Sequence, residues 1–213
     1  MISPHQLDAK LRLHGFSPRG GVVAPGVPSE ALEELEHVTG VELPPAFREL
    51  YSYSCRPFLD WVDPHGDDMP APIECFETPL AWDEVLPEWQ LARELERDMP
   101  ELGCGDLQPG HVVRPCFYWS GWLPIARDAT GCVTYIDTDP GPAGVVGQIF
   151  MQGPSGGPVD VLAANLGEYF DRLVYCLDAG LIVAKNGEWL SSTTGELVHQ
   201  FKAEVDRAAA LGA

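Results

Sequence analysis

The sequence predicts an α+β fold: a single mixed or antiparallel sheet of about four to six strands, flanked by helices from both ends of the chain. Three observations predict it. Helical periodicity fills the first part of the chain and returns after residue 160, while short strand-like runs crowd the interval 116–150. Turn residues separate those runs too closely for helical crossovers, so the strands pair as an antiparallel meander.

Each element has its own local reason. From Pro4 to His14, Leu7 and Leu11 stand one helical turn apart and Gly15 ends the pattern. Phe16 to Pro28 is Gly- and Pro-rich and reads as loop. A second helix follows, with Ser29 as N-cap, Leu32, Leu35 and Val38 on one face, and Gly40 as its stop. Leu43 is pushed to extended geometry by Pro44. Pro45 suits the first turn of a third helix, whose inner face is Phe47, Leu50 and Tyr51. In the otherwise irregular stretch 60–106, Pro87 to Asp98 reads as a short helix with Leu91 and Leu95 inward. Strands are expected at Cys116–Trp119, Leu123–Ala126, Val133–Ile136 and Val145–Phe150, with turns at Ser120-Gly121, Thr130-Gly131 and Pro140-Gly141-Pro142. A long helix is expected from Val161 to Asp178, ended by Gly180, and a last one carries Leu197, Val198, Phe201 and Val205. This divides the chain into an N-terminal helix and loop (1–28), a main domain (29–180) and a strand/helix extension packed on that domain (181–213).

Composition narrows the function. In 213 residues, 13 Lys and Arg face 32 Asp and Glu, for a net charge of −19 and a pI near 4.4. Direct nucleic-acid binding is disfavoured because phosphate contacts need clustered bases. A basic macromolecular partner is favoured instead. No apolar run approaches the roughly 18 residues of a membrane helix, and the first residues lack the features of an export signal, so a cytoplasmic protein is expected. The six cysteines include no C-x-x-C pair. They read as reduced thiols, and no cofactor or metal is expected.

Charge is concentrated. Residues 60–106 hold 14 acids and two bases, with Trp61, Trp82 and Trp89 among them. Aromatic anchors ringed by charge suit a protein interface. The residues expected to contact a partner are Asp60, Trp61, Asp63, Asp67, Asp68, Glu74, Glu77, Asp83 and Glu84. Against this stands the simpler reading of a solvated acidic loop.

Three patterns invite catalytic readings. Gly153-Pro154-Ser155-Gly156-Gly157 matches G-x-S-x-G, with His199 downstream and Asp171 or Asp178 between, but Gly156-Gly157-Pro158 opposes the helix that a nucleophile elbow requires. Asp137-Thr138-Asp139 has the two carboxylates of a metal-dependent transferase, without a nucleotide-binding half before it. Asp63-Pro64-His65-Gly66-Asp67-Asp68 collects possible cation ligands but matches no calcium loop. A flexible loop, a turn-capping Asp and an acidic surface loop are the favoured readings of the three.

The run from Leu35 to Tyr51, with Gly40 closing one helix and Leu43-Pro44 leading into the next, resembles the opening motif of the Smi1/Knr4 (SUKH) superfamily. Trp122-Leu123-Pro124-Ile125-Ala126, then Asp137, Asp139-Pro140 and Gly147-Gln148-Ile149, is similar to that family's later strands and turn. The closing helix is the third shared element. Ser52-Tyr53-Ser54-Cys55 stands where the family usually has Asn-Gly, and the acidic segment is longer than usual. The resemblance implies structural roles for Gly40, Leu43, Pro44, Trp122, Pro124, Asp137, Pro140, Gly147 and Gln148. It also implies a non-enzymatic protein-binding function. Bacterial members commonly serve as immunity proteins that neutralise toxin domains, many of them basic nucleases, and fungal members are linked to cell-wall assembly as regulatory scaffolds. A small hydrolase or metal-dependent transferase is the remaining alternative.

Overall fold

A computed structural model of the chain describes residues 2–70, 72, 78–99, 104–153 and 158–211. The first helix, α1 (Pro4–Leu13), opens with a reciprocal cap: Gln6 N–H donates to Ser3 Oγ, and Ser3 N–H donates to Gln6 Oε1. After a short pairing strand β1 (Ser17–Pro18) come α2 (Ser29–Thr39) and α3 (Pro45–Tyr53). Helix α2 ends at Gly40 in the left-handed conformation, as its residue type suggests. Its start differs from expectation. Pro28 holds the N-cap position and Ser29 is already helical, because proline's fixed φ supplies the extended entry without a side-chain cap.

Strand β2 (Trp61–Val62) pairs with β1, and β3 (Thr78–Pro79) leads to α4 (Trp82–Asp98). Helix α4 starts five residues before the expected Pro87, which sits inside it. Its inward face is therefore Val85 and Trp89, whereas Leu91 is half exposed and Leu95 only partly buried. Strands β4 (Trp122–Arg127), β5 (Val133–Asp137), β6 (Ile149–Gln152) and β7 (Pro158–Ala163) follow, then α5 (Leu166–Asp178), β8 (Ile182–Lys185), β9 (Glu188–Ser191) and α6 (Phe201–Leu211).

The main sheet has five antiparallel strands in the order β3-β4-β5-β6-β7, the expected meander. It is not the sole sheet. The pairs β1–β2 and β8–β9 form two further small ones. The second is a hairpin closed by Asn186-Gly187, both with positive φ (53° and 77°), which is the backbone of a two-residue turn matched to strand twist.

Two expected strands are displaced. Cys116–Trp119 is irregular, and the run at Val145 becomes strand only from Ile149. The expected long helix gives up its first turn to β7, because Asn165 caps α5: its Oδ1 accepts from Glu168 N–H at 2.9 Å, and Glu168 Oε2 accepts from Ala164 N–H.

The sheet buries both faces. Leu123, Ile125, Ile136 and Ile149 join Phe47, Leu50 and Tyr51 of α3 and Leu166, Phe170 and Leu173 of α5 in the principal core. Trp122, Val133, Tyr135 and Phe150 face the other way, beneath Val113, Cys116 and Trp119 of the segment that runs from 104 to 120. That segment is closed by a Cys104–Cys116 disulfide, which corrects the expectation of reduced thiols throughout. Spacing alone does not reveal the pair; the chain folds back so that Gly105 N–H reaches Pro115 O at 2.9 Å and brings the two sulfurs together. Cys55, Cys132 and Cys176 are free thiols, and Cys75 lies outside the described residues.

The C-terminal hairpin and α6 pack on the same core through Ile182, Trp189, Val198 and Phe201. Leu197, expected on the inner face of α6, instead precedes the helix and forms an isolated bridge to Leu190.

Candidate protein-binding surface

The acidic stretch separates into buried, paired and open groups. Trp61 is 2% exposed, packs 5.7 Å from Phe58 and lies under the Arg12 guanidinium. Trp89 is likewise buried, with its indole N–H donating to Ser120 O at 2.9 Å, and Trp82 packs partly buried against Tyr51. Trp61 and Trp89 are core residues, and Trp82 is the partly exposed one of the three.

Asp63 is also buried. Its Oδ1 accepts from the N–H groups of His65 and Asp67, so it shapes the loop from within. Among the described residues no group of three His, Cys, Asp or Glu is placed to hold a metal ion.

Most of the other described acids lie toward solvent. Asp60 pairs with Arg56 and Asp68 with Arg19. Glu84 and Glu88 of α4 are bridged by Arg127 of β4, at 2.9 and 3.0 Å. Asp67 and Asp83 are exposed, as are Glu94 and Asp98 further along α4. Glu74 and Glu77 lie outside the described residues. Internal arginines thus neutralise part of the expected surface, and Asp67 and Asp83 are its clearest open members.

The motif residues from distant parts of the sequence converge elsewhere. Glu36 of α2 accepts from Leu43 N–H at 2.7 Å and pairs with Arg48 of α3. These contacts, the Leu43 N–H first, hold its carboxyl below the usual range and fix the Leu43-Pro44 corner between the two helices.

At the end of β5, Asp137 is fully buried. Its Oδ2 accepts from Gln148 Nε2 at 2.9 Å and its Oδ1 from Asp139 N–H at 3.1 Å, two residues on, as a turn-capping Asp does. Burial pushes the Asp137 carboxyl up to about 6, while the Gln148 and Asp139 donors pull against that rise. The same Gln148 amide donates to Val112 O, tying the covering segment to the β5–β6 turn. Gly147 turns there with φ 88°, and a Cβ on Gly144 would sit 2.0 Å from Val112 O.

Asp139 is engaged too. It accepts from Arg114 at 2.7 Å and from Trp119 Nε1 at 3.1 Å. Both carboxylates of the D-x-D pattern therefore serve the turn. Trp122 packs 4.9 Å from Phe150 and 5.8 Å from Tyr135, and Pro124 pairs with Tyr135 beside a register shift in β4. Pro140 is partly buried in the turn that His111 and Val112 cover.

Ser155 lies outside the described residues. Asp178, one suggested triad member, is bound by His14 at 2.8 Å and Lys10 at 3.1 Å across the α1–α5 junction. The His14 and Lys10 hydrogen bonds hold its carboxyl below the usual range.

Beside these corners runs an open groove of about 670 Å³. Its walls are the start of α1, the Leu43-Pro44 corner with α3, the β5–β6 turn and the start of α5. Leu43, Pro44 and Gly147, singled out in the sequence as structural motif residues, all line it. Sequence reading does not find this groove, because its walls are contributed by segments more than a hundred residues apart.

The family model described as SMI1 / KNR4 family (SUKH-1) matches residues 26–172. Over 72 residues, 34% of the chain, the sequence is 35% identical to KNR4/SMI1 homolog 2 of Debaryomyces hansenii. Over 82 residues, 38% of the chain, it is 30% identical to the cell wall biosynthesis/cell cycle regulator smi1 of Schizosaccharomyces pombe. The matched segments cover 12% and 15% of those two relatives.

Proposed function

Because the chain belongs to the SMI1 / KNR4 family (SUKH-1), we propose that it acts by binding another protein and not by catalysis, as an immunity protein that neutralises a basic toxin domain of the nuclease class. The observation that carries this reading is charge: a net −19 with a dense acidic stretch whose Asp67, Asp83, Glu94 and Asp98 reach solvent. A surface that holds nucleic-acid phosphates is typically rich in Lys and Arg. An acidic inhibitor competes for that surface, and opposite charge raises the association rate. A cytoplasmic place of action belongs to the same proposal; among the described residues no helix is long and apolar enough to cross a membrane.

A second reading, a regulatory scaffold in cell-wall assembly, is favoured by the name of the Schizosaccharomyces pombe relative. Co-expression with basic nuclease toxin domains, beginning with any encoded beside this chain, tests the first. Rescue of growth by a one-to-one complex supports immunity. Its absence with every such domain, together with recovery of several cell-wall enzymes, supports the scaffold. Replacing Asp67 and Asp83 by Lys is expected to slow association and flatten its salt dependence; unchanged kinetics remove that acidic surface from the interface.

A further inference from the structure

We propose that the 670 Å³ groove is a docking slot for a short basic segment of the partner protein, one large apolar side chain entering between Leu43, Ala46, Val146 and Phe170 while flanking Lys or Arg residues meet Glu42 and Glu49. The inference rests on the protein-binding reading above and adds the place and chemistry of contact.

Three observations carry it. The groove reaches the principal core itself: Leu43, Leu166 and Phe170 are at most 2% exposed yet line its floor. Of its lining residues Val146 leaves apolar surface in water at 65% exposed, next in the chain to Val145 at 57% on the β5–β6 turn. Adjacent exposed aliphatic residues beside an apolar cleft are characteristic of a contact surface. The charged residues lining the groove among the described ones are Glu42 and Glu49, both exposed, and no Lys, Arg or His is among its lining residues. An anionic segment would meet repulsion there, and a cationic one meets attraction from Glu42 and Glu49 on the wall formed by the Leu43-Pro44 corner and α3.

The slot is also held in shape. The Asp137–Gln148 hydrogen bond fixes the turn that carries Val146, and the Glu36 contacts with Leu43 and Arg48 fix the facing corner. Walls set before binding reduce the ordering cost of association. The acidic stretch then steers the partner, and the groove holds it.

The test uses the full chain and a fluorescein-labelled peptide of two adjacent leucines flanked on each side by lysines, followed by anisotropy and by amide NMR shifts. Saturable binding is expected, with shifts at Leu43, Ala46, Val146 and Gly167. Changing the leucines to serine is expected to weaken binding at least about tenfold, the loss appropriate to one buried aliphatic side chain. Ala46→Arg, at a partly buried helical position that lines the groove, should weaken it by a similar factor; so should the double change Glu42→Lys, Glu49→Lys. Val146→Ser checks the opposite wall, and far-UV circular dichroism confirms folding of each variant.

Absence of saturable binding overturns the proposal, as does equal affinity of Ala46→Arg, Val146→Ser and wild type. Loss on replacing Asp67 and Asp83 by Lys, with the groove variants unaffected, overturns the groove and leaves the protein-binding reading standing. Failure of any toxin domain to bind or be neutralised overturns the immunity reading instead, whatever the peptide does.

Discussion

Replacing Asp137 by Asn gives the most quantitative check on how the β5–β6 turn is built. The side chain is fully buried, and its carboxyl is pushed up to about 6 from the usual 3.8, mainly by loss of solvation. A carboxyl raised in the folded state binds its proton more tightly there than in the unfolded chain. Its stabilising effect is therefore complete below the unfolded value and is lost as pH rises through about 6. The full shift corresponds to about 3 kcal/mol. Measurements near pH 4.4 are complicated by the isoelectric point. Between pH 5 and 7.5 a little under half of the effect is sampled, about 1.4 kcal/mol, or a factor of about ten in the folding equilibrium.

Asn cannot ionise. Its amide loses one hydrogen bond to Gln148 or Asp139 at a cost of about 1 kcal/mol, equal at every pH. Carboxylates such as Glu36 and Asp178, held below the usual range, contribute alike to both proteins and cancel. Urea unfolding at pH 5, 6, 7 and 7.5 is expected to show the wild type losing stability relative to Asp137→Asn as pH rises. Parallel curves for the two proteins would refute the assignment of a buried, proton-retaining carboxyl.

Two further outcomes are expected. Trp61→Ala removes a ring buried against Phe58 and beneath Arg12, and is expected to cost about 3–5 kcal/mol by urea unfolding; an unchanged midpoint would place the indole at the surface after all. Cys104→Ser opens the Cys104–Cys116 loop and is expected to cost about 2–3 kcal/mol, while alkylation of the denatured, unreduced wild type leaves these two cysteines unlabelled in mass mapping. Labelling of both would exclude the bond.

Local rules in the sequence determined the elements whose signals lie within a few residues. Leu7 and Leu11, the Gly40 stop, Pro45 at the start of α3 and the closely spaced runs of β4 and β5 all follow from periodicity, caps and turn chemistry. Other local signals were present and needed only to be weighed: Asn165 with Glu168 marks the start of α5, and Asn186-Gly187 marks the β8–β9 hairpin. The motif resemblance also pointed to the family that the comparison then showed.

What the tertiary structure alone decided is which polar and aromatic groups face water. A tryptophan among acids looks like an interface anchor, but Trp61 turns inward against Phe58 and beneath Arg12, and Trp89 is buried with its indole N–H donating to Ser120 O. Charge density along the chain does not show that Arg127, 43 and 39 residues further on, neutralises Glu84 and Glu88. Nor does it show the Cys104–Cys116 bond or the groove between Leu43 and Val146. Helices and turns are specified by neighbours in the chain, whereas burial, ion pairing and clefts are specified by neighbours in space, and those are set only when the sheet brings the distant segments together.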